Sequence, residues 1–121
     1  MKSQDLVKVI AEVAADKKAT RIIAQNLEGK SGLCDYQIVI SGSNERQTQA
    51  IATHIEDTLR ERKIGRPFAV EGKQTGHWIL MDYDGVLVHI FLDSIRDYYA
   101  MERLWPEAQT QIFAETTSPS A

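Results

Sequence analysis

Two groups of residues have types and spacing that could do chemistry. Gly42-Ser43 stands just ahead of a long helix-forming segment, and Asp82-Tyr83-Asp84 carries two alternate acids. A Gly-Ser pair opening a helix can hold phosphates on backbone N–H groups. Alternate acids on a strand can hold the two metal ions that clamp the attacking and leaving oxygens of phosphoryl transfer. Together they suggest a metal-dependent nucleotidyltransferase or a nucleotide-binding protein. Three features weigh against it. The two parts are far apart in the chain, Asp84 falls in a turn instead of beside Asp82 on a strand face, and no third acid is evident. Ser43 read as a helix cap and Asp84 read as a turn residue need no catalysis. We therefore expect no enzyme, no metal site and no cofactor.

The remaining reactive residues are as sparse. His54, His77 and His89 have no metal-ligand spacing with Cys34, the single cysteine. Cys34 precedes Asp35, an acid that raises a thiol pKa and so disfavours an activated nucleophile. Gly29–Gly32 does not match a phosphate-binding loop. Arg60, Arg62, Lys63 and Arg66 form a small basic cluster, either a solvated helix end or a contact to RNA backbone.

The elements that must position these residues come from an ordinary globular composition. The chain has 121 residues, 43% hydrophobic and 26% charged, and a net charge of −3. That is one domain with its own core. The mild acidity argues against direct, sequence-specific nucleic-acid binding but leaves room for docking on a ribonucleoprotein through one of its proteins. One cysteine excludes an intrachain disulfide framework. Without an apolar leader or a long apolar run we expect a cytoplasmic protein with no membrane contact.

Leu6, Val9, Ile10 and Val13 mark a first amphipathic helix. Arg21–Leu27 and Asp35–Ser41 read as strands. Glu45–Lys63 reads as the longest helix, with Ile51, Ile55 and Leu59 in one row and Gly65 and Pro67 stopping it. Phe68–Val70 is a short strand, Trp78–Tyr83 and Val86–Leu92 a hairpin, and Asp93-Ser94 caps a last helix reaching Trp105. The order α-β-β-α-β-β-β-α predicts a single α/β domain with a mixed five-stranded sheet over residues 1–106. Residues 107–121 read as a flexible C-terminal tail.

The Asp84-Gly85 pair between two apolar runs predicts a two-residue type I′ turn. Counting outward, Ile79, Met81, Tyr83, Val86, Val88 and Ile90 share one apolar face. Trp78, Leu80, Asp82, Leu87, His89 and Phe91 share the other, with Asp82 and His89 diagonal and within hydrogen-bonding reach. The second face is either a protein-binding patch or is covered by another helix. The last helix spreads Ile95, Tyr98, Tyr99, Met101, Leu104 and Trp105 over more than one stripe, which favours an interface.

The ordered set of motifs resembles the ribosomal silencing factor family, also called Iojap. Cys34–Ser43 resembles its "D-Y-F-V-I-x-S-G-x-S" strand and cap. Arg46-Gln47 and Ala50–Ala52 resemble its following helix. Glu71-Gly72 and Trp78–Tyr83 resemble "E-G … W-x-L-x-D-Y". Val88–Phe91, Arg96–Tyr99 and Met101–Trp105 resemble "V-H-x-F … R-x-x-Y-x-L-E-x-L-W". The chain departs at the hairpin turn, where the family reads Gly-Asp and this sequence reads Asp84-Gly85. The resemblance implies a nucleotidyltransferase-like fold without that activity. It implies binding to the large ribosomal subunit through the universal large-subunit protein L fourteen, steric blocking of small-subunit joining, and translational repression under nutrient limitation. The resemblance also implies a possible homodimer, as some relatives form. Carried onto matching positions, with Leu80 added from the hairpin face, the interface candidates are Trp78, Leu80, Asp82, His89, Arg96, Tyr99 and Glu102.

Overall fold

The apolar rows become two helices on one side of a sheet. A computed structural model describes residues 1–114. Helix α1 (Ser3–Asp16) buries Leu6, Val7, Ile10 and Val13, and α2 (Glu45–Glu61) buries Ile51, Ile55 and Leu59. Both pack on the apolar face of the hairpin strands β4 (Trp78–Asp82) and β5 (Val86–Leu92). Ile79, Met81, Tyr83, Val86, Val88 and Ile90 all lie in that core, joined by Ile22, Ile38 and Ile40. The remaining strands are β1 (Thr20–Asn26), β2 (Tyr36–Gly42), β3 (Ala69–Glu71) and β6 (Gln109–Ile112).

The sheet has six strands, not five, in the order β3-β4-β5-β2-β1-β6. Only β2 and β5 run parallel; the other neighbours are antiparallel. The sixth strand comes from the expected tail. Gln109–Ile112 pairs with β1, although all four residues are exposed. Polar edge residues satisfy a strand's backbone without a buried face, so composition reads them as tail. Phe113 then packs against the main core. Residues 115–121 of that expected tail lie outside the described residues. Among the described residues, no helix is long and apolar enough to cross a membrane.

Three local expectations also change. The hairpin keeps its register, Trp78 facing Phe91 and Asp82 facing Leu87. Its turn is not type I′, because only Asp84 takes a positive φ (70°). The Gly85 carbonyl instead accepts from the N–H groups of Asp35 and Tyr36, which fastens the turn to β2. Helix α2 ends at Glu61, before Gly65, with Lys63 in the left-handed position (φ 58°). The last helix breaks early: α3 covers Asp93–Tyr99, Ala100 turns left-handed (φ 48°), and a 3-10 turn follows at Met101–Leu104.

The Gly42-Ser43 pair is a joint between elements. A side chain on Gly42 would meet Thr48 Cγ2 at 2.8 Å. Asn44 caps α2 by accepting from Gln47 N (2.8 Å), while Ser43 N–H and Oγ–H both donate to Gln47 Oε1. Gln47 Nε2 also donates to the carbonyls of Lys17 and Lys18, tying the end of α1 to the start of α2. Thr48 Oγ1 lies 2.6 Å from the Gly76 carbonyl and holds the loop before β4 against the same helix.

In that loop, Gly72 has φ 80°, and a side chain there would meet the Trp78 carbonyl at 2.0 Å. We expect Gly72→Ala to destabilise by about 2–3 kcal/mol, since strain and a backbone clash combine. Gly29 has φ 77° but open space around it. Gly29→Ala should therefore cost only about 1 kcal/mol. Urea unfolding of both variants checks the contrast; equal losses would contradict the packing described.

Candidate protein-binding face

The second face of the sheet is where the candidate residues meet. It presents Trp78, Leu80 and Asp82 from β4, Leu87, His89 and Phe91 from β5, and Gln37, Val39 and Ser41 from β2, as the strand registers require. Segment 93–104 lies over part of it.

That segment is held by a buried polar layer. Arg96 is fully buried, with a relative exposure of 0%. Its guanidinium donates to Glu102 Oε2 through Nε (3.2 Å) and Nη2 (2.9 Å). Nη1 donates to Ser41 Oγ (2.9 Å) and to the Arg21 carbonyl. Burial draws the Arg96 pKa below its ordinary value, and Glu102 opposes that pull. Arginine stays charged regardless, so its partners must all be supplied. Beside it, Gln37 Nε2 donates to Gln25 Oε1 (2.7 Å), and Gln25 Nε2 donates to the Glu102 carbonyl (2.8 Å). From outside, Arg21 pairs with Asp93 (3.0 Å) and Asp97 (2.8 Å). Arg21 itself stands at φ 48°, where β1 slips register against β2, and this irregularity turns its carbonyl toward Arg96.

Next to this layer sits an aromatic cluster. Trp78 lies 5.1 Å from Phe91 and 4.7 Å from Tyr99 between ring centroids, and Phe91 lies 5.8 Å from Tyr99. Phe91 is buried; Trp78 is partly exposed and Tyr99 is 43% exposed. Tyr98, edge-on to Tyr99, and Leu104 stand out further, at 84% and 61%. Leu80 and Asp82 are half-buried on the neighbouring strand. The result is an apolar, aromatic surface with a firm floor, as protein-binding hot spots require.

Three candidates, Arg96, its partner Glu102 and His89, occupy other roles than those expected. Arg96 cannot meet a partner from inside the layer; it fixes the segment that does. The Asp82–His89 hydrogen bond is absent: Asp82 Oδ1 accepts from Asp84 N (2.8 Å), and the His89 Nδ1 is taken by Trp78. His89, also buried, accepts from Trp78 Nε1 at its Nδ1 (3.2 Å) and orients the indole. Its Nε2 has no partner among the described residues. Burial lowers the His89 pKa to about 4, so the ring is neutral at physiological pH.

Sequence reasoning missed Arg21, Gln25, Gln37 and Ser41. The signal was present: polar residues at inward positions of apolar strands must have buried partners. The enzyme reading finds its residues engaged elsewhere. Ser43 belongs to the α2 cap, Asp82 closes a local turn, and among the described residues no three acids, histidines or cysteines converge as metal ligands. Cys34 is buried, and burial followed by Asp35 and Asp82 raises its pKa.

Removing the guanidinium would strand Glu102 and the Ser41 hydroxyl. Arg96→Met should cost about 3–5 kcal/mol in chemical unfolding; a loss under 1 kcal/mol would contradict the structural role. The His89 effect has a defined sign. The unfolded chain takes up that proton near pH 6.5 and the folded chain only near pH 4. Its stabilisation is therefore complete above pH 6.5 and is lost as pH falls toward 4, by about 3 kcal/mol in all. His89→Gln should flatten the stability profile across that window, and an unchanged slope would place the titration elsewhere.

The family model described as "Ribosomal silencing factor during starvation" matches residues 1–121. The chain is 36% identical to ribosomal silencing factor RsfS of Bacillus subtilis, covering 89% of this chain and 91% of that one. It is 34% identical to RsfS of Halalkalibacterium halodurans, covering 91% and 93%. A crystal structure of a protein from Chromobacterium violaceum superposes with a TM-score of 0.83 at 30% identity, over 100% of both chains. The chain belongs to the ribosomal silencing factor family.

Proposed function

We propose that this protein silences ribosomes by occupancy. It docks on the large ribosomal subunit through the universal large-subunit protein L fourteen, blocks small-subunit joining, and so represses translation when nutrients are short. The observation that carries this reading is the aromatic face built by Trp78, Phe91 and Tyr99, bordered by Leu80, Asp82, Tyr98 and Leu104, on a rigid buried polar layer. The names of the relatives support the ribosomal setting. A mouse relative, 28% identical over 68% of this chain, is named for mitochondrial assembly of the ribosomal large subunit. A chain of 121 residues can obstruct a subunit only from the joint itself, so the docking place carries the mechanism. No turnover is needed.

Gradient co-sedimentation with purified subunits tests it. The parent chain should travel with large subunits and lower the yield of joined ribosomes. Tyr98→Ala and Leu104→Ala change exposed positions and should leave stability near the parent. Tyr99→Ala or Trp78→Ala should weaken binding by about 2 kcal/mol, roughly 30-fold. Folded variants at all four positions that bind like the parent would refute the face. Calorimetry with magnesium and nucleoside triphosphates should show no strong binding. Strong binding that Asp82→Asn abolishes would favour a nucleotidyltransferase instead.

A further inference from the structure

The docking face leaves one charged surface unexplained, at the C-terminal end of α2. Arg60 stands in the last turn of this helix and Arg62, Lys63 and Arg66 follow it, in a chain whose net charge is −3. Arg60 pairs with Asp57. None of the ion pairs among the described residues engages Arg62, Lys63 or Arg66. All three are exposed. The left-handed backbone at Lys63 ends the helix and starts the chain back toward the sheet edge. There Phe68 stands 76% exposed, anchored by its N–H on the Asp82 carbonyl (2.7 Å). Arg60, Arg66, Phe68 and Val70 line one open cleft between α2 and β3. Glu56 lines it too, paired with Lys73 at 2.9 Å, and exposed Glu61 lies nearby in the helix.

An open aromatic ring sharing a cleft with Arg66, with exposed Arg62 and Lys63 just before it in the chain, suits a nucleic-acid strand better than a protein. Phosphates meet the guanidinium and ammonium groups, and an unstacked base has a flat partner in the ring. An acidic protein surface would use the charges but not the ring. We propose that Arg62, Lys63, Arg66 and Phe68 form a contact for an unpaired RNA strand, reading backbone and stacking without reading sequence. The patch borders the same sheet edge but on the α2 side: β3 pairs with β4, and Phe68 and Val70 line the cleft against α2 while Asp82 faces the other side. The proposal deepens the ribosomal reading and rests on it. The aromatic face grips protein while the basic edge meets neighbouring ribosomal RNA.

The test uses the full chain, a fluorescent single-stranded uridine oligonucleotide, and purified large subunits across a salt series. The parent should bind the oligonucleotide weakly, with a log–log salt slope of about −2 for three phosphate contacts. The triple variant Arg62→Gln, Lys63→Gln, Arg66→Gln should flatten that slope and weaken subunit binding roughly tenfold at low salt. Phe68→Ser should weaken oligonucleotide binding roughly tenfold without changing the slope, and Phe68→Tyr should restore it. No oligonucleotide binding by the parent, together with unchanged subunit binding by the triple variant, would overturn the patch while leaving the docking face standing. Equal losses by the triple variant on subunits and on isolated protein L fourteen would reassign the patch to protein and overturn it too. Oligonucleotide binding with no subunit binding at any salt would support the patch and overturn the ribosomal reading.

Discussion

A buried guanidinium sets the terms for half of this molecule. Taking the Arg96 charge out of water costs several kcal/mol unless every donor finds an acceptor. The sheet supplies Ser41 and the turned-out Arg21 carbonyl, and the 3-10 segment supplies Glu102. Each demand propagates. Ser41 must point away from the helices, so Gln37 and Val39 do as well, and β2 gains a polar stripe on its second face. The Arg21 carbonyl must leave the β1 ladder, so β1 bulges. Glu102 must reach back, so the helix after β5 breaks at Ala100. The two faces of the sheet therefore differ in kind: one is a dry core under α1 and α2, the other a polar layer with an aromatic margin.

That margin is what the arrangement makes available. Segment 93–104 covers the β2 side of the face and touches β4 through Tyr99 against Trp78, leaving Trp78, Leu80 and Asp82 partly exposed. His89 steadies the indole through a hydrogen bond, and Phe91 supports it from beneath. Aromatic groups held this firmly lose little freedom on binding, which concentrates affinity in few contacts. Gly42, Ser43 and Asp82, the residues that first suggested phosphate chemistry, are absorbed by a helix joint and a turn.

Legibility in the sequence followed periodicity. The α2 row of Ile51, Ile55 and Leu59 and the alternation along β4 and β5 reported faces correctly, because burial repeats with the element's own period. The family resemblance drew attention to Trp78, His89 and Tyr99. What stayed hidden was non-local. Arg96 looks like a surface residue until Ser41 and Glu102 close around it, and Gln25 and Gln37 look like strand impurities until they meet. The sixth strand was invisible because Gln109–Ile112 buries nothing and owes its place to β1 alone. Ala100 carries no breaker signal; its left-handed turn follows from where Glu102 has to go.

The central claim is that the aromatic margin, fixed by Arg96, is the surface that meets the ribosome. Hydroxyl-radical footprinting with and without large subunits measures it side chain by side chain. Tyr98, Tyr99, Leu104 and Trp78 should lose reactivity on binding, while His54, partly exposed on α2 on the other side of the sheet, keeps its own. Bound protein with those four residues as reactive as in the free chain would contradict the account.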